Sequence, residues 1–395
     1  MAGKPGEVAL KIARHTESGE SGEGGEGAIG GMTTGKMYDC WKALVKAGKR
    51  DPPPILFVRL GIAERARLRP RKLLLMIKRL IVAGSVGCLS LLLVQSSHPR
   101  VVLAAQSAPA RNGAIAQSAS PDNLKVVLLG SGMGPRVNLQ QFGASTLIEA
   151  GNLRLLFDCG RGASLRLAQV GVPIGSISRL FLTHLHSDHV VQIPDLLLTG
   201  WAGGGRTSKF EVWGPDGTSD MMDHMQRAFA FDIHMRRDVD EQLDGDGITV
   251  ASHDIKQGVV FDEQGVKVTA FLVDHGLLTP AFGYRIDYHG RSVVLSGDTR
   301  VSENLIRFAQ GVDVLVHEVV DAETNREGAR RHTTANQAGD IFARVKPRLA
   351  VYSHGPNTES VMTQTRKTYA GPLEGAEDML TIEIGEKIDV RHFAR

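Results

Sequence analysis

One α/β domain of about 270 residues, running from Asp122 to the C-terminus, is what the sequence predicts behind a long segment with no core of its own. Two observations predict it. Short apolar runs end repeatedly in turns: Leu180-Phe181-Leu182 before Thr183, Val268–Val273 before Asp274-His275-Gly276, and Leu349–Ser353 before His354-Gly355. Between such runs lie stretches whose apolar residues recur at helical spacing.

Taken in order, strands are expected at Leu124–Leu129, Thr146–Glu149, Leu153–Phe157 and Arg179–Leu182. A later pair, Phe282–Tyr288 and Arg291–Ser296, is joined by a His289-Gly290 turn, and Met379–Ile384 alternates like a final strand. Helices are expected over Ala163–Gln169, Ser219–Ala230, Glu303–Ala309 and Thr334–Val345. The last places Ala338, Ile341, Phe342 and Val345 on one face, a stripe suited to covering a sheet.

The densest chemistry is Thr183-His184-Leu185-His186-Ser187-Asp188-His189, three imidazoles and a carboxylate directly after an apolar strand. Neutral imidazole and carboxylate are the donors that zinc-like ions take. Further single donors, His275, Asp298 and His354, each stand where a strand meets a glycine-containing turn. The cluster and these three together point to a metal site.

These residues resemble the metallo-β-lactamase superfamily, whose fold is an αββα sandwich with a dinuclear metal site along one edge. The resemblance implies that His184, His186 and His275 hold one divalent ion and that Asp188, His189 and His354 hold a second. Asp298 would bridge the two ions, expected to be Zn2+, with Mn2+ or Fe2+ also suited. Two such cations lower the pKa of a water held between them, so that hydroxide exists near neutral pH. Asp188 would also orient that hydroxide. Within the superfamily the pattern is similar to ribonuclease Z. Phe157-Asp158-Cys159-Gly160, Trp213-Gly214-Pro215, Phe282-Gly283-Tyr284, Val316-His317-Glu318-Val319 and His332-Thr333-Thr334 carry that likeness. It implies a Glu318–His332 pair that protonates a leaving 3′ oxygen.

Three features depart from that family. His275 and Asp298 are 23 positions apart, and a strand pair fills the interval where ribonuclease Z carries its tRNA-gripping arm. After His354 the chain reads Gly355-Pro356-Asn357-Thr358 rather than the family's Phe-Ser-x-Arg-Tyr type ending. The net charge of +3 divides unevenly: residues 1–121 hold 18 Lys+Arg and 8 Asp+Glu, and the remainder 28 against 35. An acidic domain offers few cations to displace counterions from phosphates, although Arg326, Arg330 and Arg331 cluster near His332. The expected activity is therefore hydrolysis of a small-molecule ester, a phosphodiester, lactone or aryl sulfate. A ribonuclease Z-type endonuclease of tRNA 3′ ends is the alternative, nucleic acid being the disfavoured partner. A homodimer is compatible with either.

The N-terminal part divides into an extension over residues 1–75, a segment over 76–105 and a linker over 106–121. Residues 17–27 are Gly/Glu/Ser-rich and cannot bury a core. Met76-Ile77-Lys78-Arg79, the apolar Leu80–Val94 and the small residues Val102–Ala105 read as a secretory signal, which implies a secreted or periplasmic location. An anchor over residues 80–94 is the alternative, and either would be the chain's contact with membrane. Fifteen residues fall short of the about twenty that a span needs. Translation starting at Met76 would leave residues 1–75 outside the protein.

Two further expectations concern specificity. Thr199-Gly200-Trp201-Ala202-Gly203-Gly204-Gly205-Arg206 has glycines for mobility beside one large aromatic. Met221–Met235, rich in Met and Phe, either packs a helix on the sheet or lines an apolar substrate pocket. Cys159, with Cys40 and Cys88 upstream, is expected to be a small buried hydrophobe.

Overall fold

The computed structural model describes residues 122–393, and the extension, signal or anchor and linker expected over residues 1–121 lie outside the described residues. Among the described residues no helix is long and apolar enough to cross a membrane.

The chain opens with strands β1 (Leu124–Gly130), β2 (Ser145–Ala150) and β3 (Leu153–Phe157), helix α1 (Ala163–Gln169) and strand β4 (Arg179–Phe181). Helices α2 (Ser187–Val190) and α3 (Ile193–Ala202), strand β5 (Phe210–Gly214), helices α4 (Thr218–Ala228) and α5 (Ala230–His234) and strand β6 (Val250–Asp254) follow. These strands form one sheet in the order β15-β14-β1-β2-β3-β4-β5-β6, where β14 (Thr381–Ile384) and β15 (Ile388–Arg391) come from the C-terminal end. The other sheet runs β13-β12-β11-β10-β9-β8-β7. Its strands are β7 (Gly258–Glu263), β8 (Val266–Leu272), β9 (Phe282–Tyr288), β10 (Arg291–Leu295), β11 (Val314–Glu318), β12 (Leu349–Ser353) and β13 (Leu373–Glu374). Helices α6 (Glu303–Phe308), α7 (Ala335–Val345) and α8 (Glu359–Thr365) complete it.

Three apolar layers hold the sandwich. Leu124, Val126 and Leu128 point into the layer between the sheets with Phe181, Tyr284 and Val351. The alternate residues Val127 and Leu129 face the outer layer under α1 and α3, with Leu167, Leu196 and Trp201. A strand buried on both faces reads as a continuous apolar run, which is why LKVVLLG was legible as one. The third layer, with Ile341, Phe342 and Val345 of α7, covers the second sheet as the stripe predicted. A Thr334–Gln337 capping box starts α7.

Of the two specificity expectations, the one on Thr199–Arg206 is corrected and the one on Met221–Met235 is decided in favour of packing. The glycine-rich Thr199–Arg206 stretch is not a mobile lip: Thr199 to Ala202 complete α3, and Trp201 is buried with its indole N–H donating to Asp244 O at 2.7 Å. Arg206 is buried too, donating to the carbonyls of Leu197 and Gly247, and a side chain at Gly200 would collide with its guanidinium. Gly200 makes room for a buried arginine. The Met/Phe stretch packs as a helix, with Met222 in the outer layer of the first sheet. The helix predicted over Ser219–Ala230 breaks at Phe229, where α4 gives way to α5.

Candidate metal centre

Every predicted donor arrives at one edge of the sandwich, from the C-terminal ends of strands in both sheets. The turn after β4 supplies His184 and His186, α2 supplies Asp188 and His189, and the turns after β8, β10 and β12 supply His275, Asp298 and His354. Two clusters result, His184/His186/His275 and Asp188/His189/His354, each with its donor atoms within 4.8 Å of one another.

In the first cluster, His186 Nδ1 lies 3.0 Å from His184 Nε2 and 3.4 Å from His275 Nε2. Tetrahedral ligands on a zinc-sized ion stand roughly 3.3 Å apart, given metal–nitrogen bonds of about 2.0–2.1 Å. In the second, Asp188 Oδ2 is 3.6 Å from His189 Nε2 and 3.3 Å from His354 Nε2. Asp298 stands between them. Its Oδ2 faces His184 Nε2 at 3.9 Å and His275 Nε2 at 4.0 Å, and its Oδ1 faces His189 Nε2 at 3.5 Å and His354 Nδ1 at 3.3 Å. One carboxylate oxygen per cluster is the arrangement of a bridging ligand.

The donor set fits divalent cations. His189 Nε2, Asp298 Oδ1 and His354 Nδ1 are buried without hydrogen-bond partners, an unfavourable state unless something else satisfies them. Burial pushes His184 well below the usual histidine range and lowers His275 as well, so both rings are the neutral form a metal takes. Burial works against charge on Asp298 too, but the imidazoles of His354, His189 and His184 outweigh it and hold the carboxyl well below its usual range.

A supporting layer fixes the donors, and sequence reasoning missed most of it. Asp158 accepts from the backbone N–H of Thr183 at 2.9 Å and lies 2.7 Å from His189 Nδ1, which orients that ring. Thr183 Oγ1 lies 3.0 Å from His184 Nδ1, and the carbonyl of Arg331 lies 3.3 Å from His275 Nδ1. Asp158 stands in the glycine-containing turn directly after β3, and a carboxylate at a strand end is the signal that points to it. Asp158 and His354 both adopt left-handed backbone, at φ 56° and 43°. Such strain persists where surrounding structure imposes it. Cys159 is buried and unpaired, as expected.

Glu318 and His332 meet beside this edge. His332 Nδ1 lies 3.0 Å and 3.1 Å from the two Glu318 carboxylate oxygens and 3.8 Å from Asp298 Oδ2. Glu318 Oε1 also accepts from Thr299 N at 2.6 Å, and Thr333 Oγ1 donates to Thr299 O at 2.7 Å. Burial raises Glu318 to about 7, against the pull of His332. For His332, burial opposes the charged ring, but the bond to Glu318 and its charge prevail and lift it to about 9. His332 therefore keeps its proton at neutral pH.

The loop between β1 and β2 separates two clefts that open on this edge. One, about 270 Å³, lies against Arg161, Leu165, Asp188 and Val191. The other, about 740 Å³, runs past Asp321, Asn325, His332 and Pro356. Neither Trp201 nor the Met221–Met235 stretch lines them.

Residues 153–354 match the model of the β-lactamase superfamily domain. A protein named Ribonuclease Z from Mycobacterium sp. (strain KMS) is 34% identical over 283 residues, covering 68% of this chain and 99% of the relative. The chain belongs to the metallo-β-lactamase superfamily, on its ribonuclease Z-like branch. It is a metal-dependent hydrolase of ester bonds. Another Ribonuclease Z, from Mycolicibacterium gilvum (strain PYR-GCK), is 35% identical over 241 residues, covering 58% of this chain and 84% of the relative. Among solved structures, human tRNase Z, short form, superposes with a TM-score of 0.53 at 22% identity, covering 66% of this chain and 99% of that one. The metallo-β-lactamase fold protein YhfI from Bacillus subtilis gives 0.55 at 17%, covering 67% and 100%. These two likenesses concern the fold.

Proposed function

We propose that this superfamily member is a dinuclear phosphodiesterase that cuts RNA at a 3′ end in the manner of ribonuclease Z. Two divalent ions, zinc in this reading, would be held by His184, His186 and His275 and by Asp188, His189 and His354, with Asp298 available to both. When bound, they supply a nucleophilic water at neutral pH and offset charge on the phosphoryl oxygens. Asp188 orients that water from the side of the smaller cleft. His332, protonated and held by Glu318 through Nδ1, presents Nε2 to the leaving 3′ oxygen. The larger cleft beside it receives the RNA upstream of the cut, and the smaller one the trailer.

The Glu318–His332 pair is the observation that carries this reading. An alkoxide leaving group needs a proton in the transition state, whereas an activated aryl oxide does not. Identity to proteins named Ribonuclease Z supports RNA over the small ester that charge and the missing arm favour. The alignment takes in 99% of such a relative, leaving it little room for a long segment this chain lacks. The missing arm therefore does not set the chain apart from these relatives.

The test incubates the purified, zinc- or manganese-loaded protein with a precursor tRNA bearing a 3′ trailer, and separately with bis(p-nitrophenyl) phosphate, a lactone and an aryl sulfate. Trailer release leaving a 3′ hydroxyl is expected. Turnover of small esters with intact RNA would replace this reading by the small-ester one. His332→Ala is expected to slow RNA cleavage about 10²–10⁴-fold and the nitrophenyl ester far less. Equal slowing of both would remove His332 from the acid role. The exported location stays part of the proposal as a separate matter: cell fractionation with peptide mapping reads it, and a cytosolic protein carrying residues 76–105 would overturn it.

A further inference from the structure

The loop that separates the two clefts is fastened by a residue that is not itself a metal donor. Asp378, near the C-terminal end and 7% exposed, reaches both ends of that loop. Its Oδ1 accepts from Ser131 N at 2.8 Å and Ser131 Oγ at 2.9 Å, and its Oδ2 accepts from Phe142 N at 2.7 Å. Arg166 of α1 pairs with the same Oδ2 at 2.7 Å and lies over the Phe142 ring, 4.0 Å from its centre. A carboxylate accepting four donors has its capacity filled, and the buried Arg166 balances its charge.

The same ties continue to the metal edge. Ser131 O accepts from Gly355 N at 3.0 Å, directly after His354. Gln141 Nε2, with two hydrogens to give, lies 3.1 Å from Ser131 Oγ, 3.1 Å from Gly355 O and 3.2 Å from Ala376 O. The His354 turn, whose φ of 43° is unfavourable for a residue with a Cβ, is thus tied to the base of the loop on both sides of Gly355's peptide. This is the stretch where the chain departs from the ribonuclease Z ending.

We infer that Asp378 is a positioning residue for the reaction: through Ser131, Phe142 and the Gln141 clamp it sets both the wall between the clefts and the turn that carries His354. The inference rests on the proposed metal roles but not on any substrate. Asp378→Asn replaces one acceptor oxygen by an NH2 that faces other donors, while keeping the shape.

The experiment is hydrogen exchange on the full protein, with zinc titrated into the metal-stripped protein by calorimetry. In Asp378→Asn, exchange should rise at residues 131–142 and 354–356 and stay unchanged in α7. The tighter zinc step, that of the cluster holding His354, should weaken by about tenfold, the loss typical of a removed supporting partner, while the other stays within roughly threefold. Asp378→Glu should partly restore both. If Asp378→Asn does not fold, Gln141→Ala decides, since it removes the clamp without burying an unpaired charge. It should raise exchange at 354–356 and weaken the same zinc step. Unchanged zinc steps and exchange confined to global unfolding would overturn the inference. Neither reading needs a substrate, so RNA left uncut does not decide it.

Discussion

The two donor clusters at the edge of the sandwich are built differently. The first is three imidazoles, of which His186 is solvent-exposed and meets other rings of the cluster, at His184 and His275. The second mixes a carboxylate with two buried imidazoles, and His189 is locked from behind by Asp158 at 2.7 Å. A cluster with a charged donor and a fixed ring is pre-organised, and one with an exposed ring has to recruit it. The Asp188 cluster should therefore hold its ion more tightly than the His186 cluster.

The largest effect that bears on this difference comes from the residue common to both. Asp298→Ala is expected to cut turnover by at least about 10³-fold and to strip metal from both clusters, as read by atomic emission on the dialysed protein. Retention of two ions would show that the carboxylate does not bridge. Next in size is Asp158→Asn, which should weaken the second ion by about 10–100-fold and reverse the order in which chelator removes the two. Were the His186 cluster already the tighter one in the parent, the comparison would break at its root.

The smallest effect separates the clusters by pH in the metal-stripped, folded protein. Burial depresses His184, so its contribution is complete above the unfolded value of about 6.5 and is lost as pH falls toward its lower folded value. His189 is the opposite case. Burial opposes its charge, but Asp298 and Asp158 outweigh that, so its contribution is complete below about 6.5 and is lost as pH rises through the raised value. Urea unfolding at pH 5 and pH 8 reads this. His184→Gln should fare better against the parent at pH 5, and His189→Gln worse. The same sign for both variants would mean that the two rings share one environment.

The donors were legible because the facts about them are local: one dense cluster after an apolar strand, and three single donors at glycine turns after others. Strand ends in both sheets converge at one edge, so finding the ends found the site. Glu318 and His332 were legible by resemblance, and their 3.0 Å approach joins β11 to the turn before α7. What escaped is what tertiary packing decides. Gly200 and Trp201 look like a mobile lip until Arg206 is seen filling the space beside Gly200. Asp378 carries no local signal, since its partners Ser131 and Arg166 lie 247 and 212 positions away.

The first sheet has a consequence for how the protein comes into being. Strand β1 is an inner strand, paired on one side with β2 and on the other with β14. Asp378, which fastens the active-site loop, lies just before β14. While the chain is being made, β1 waits with one side open until Thr381–Ile384 has left the ribosome. Contacts that span so much of the chain form late and slowly. Both sheet closure and the loop between β1 and β2 therefore depend on the same stretch, Asp378–Ile384, and a nascent chain stopped before it would hold its metal donors without the frame that aims them.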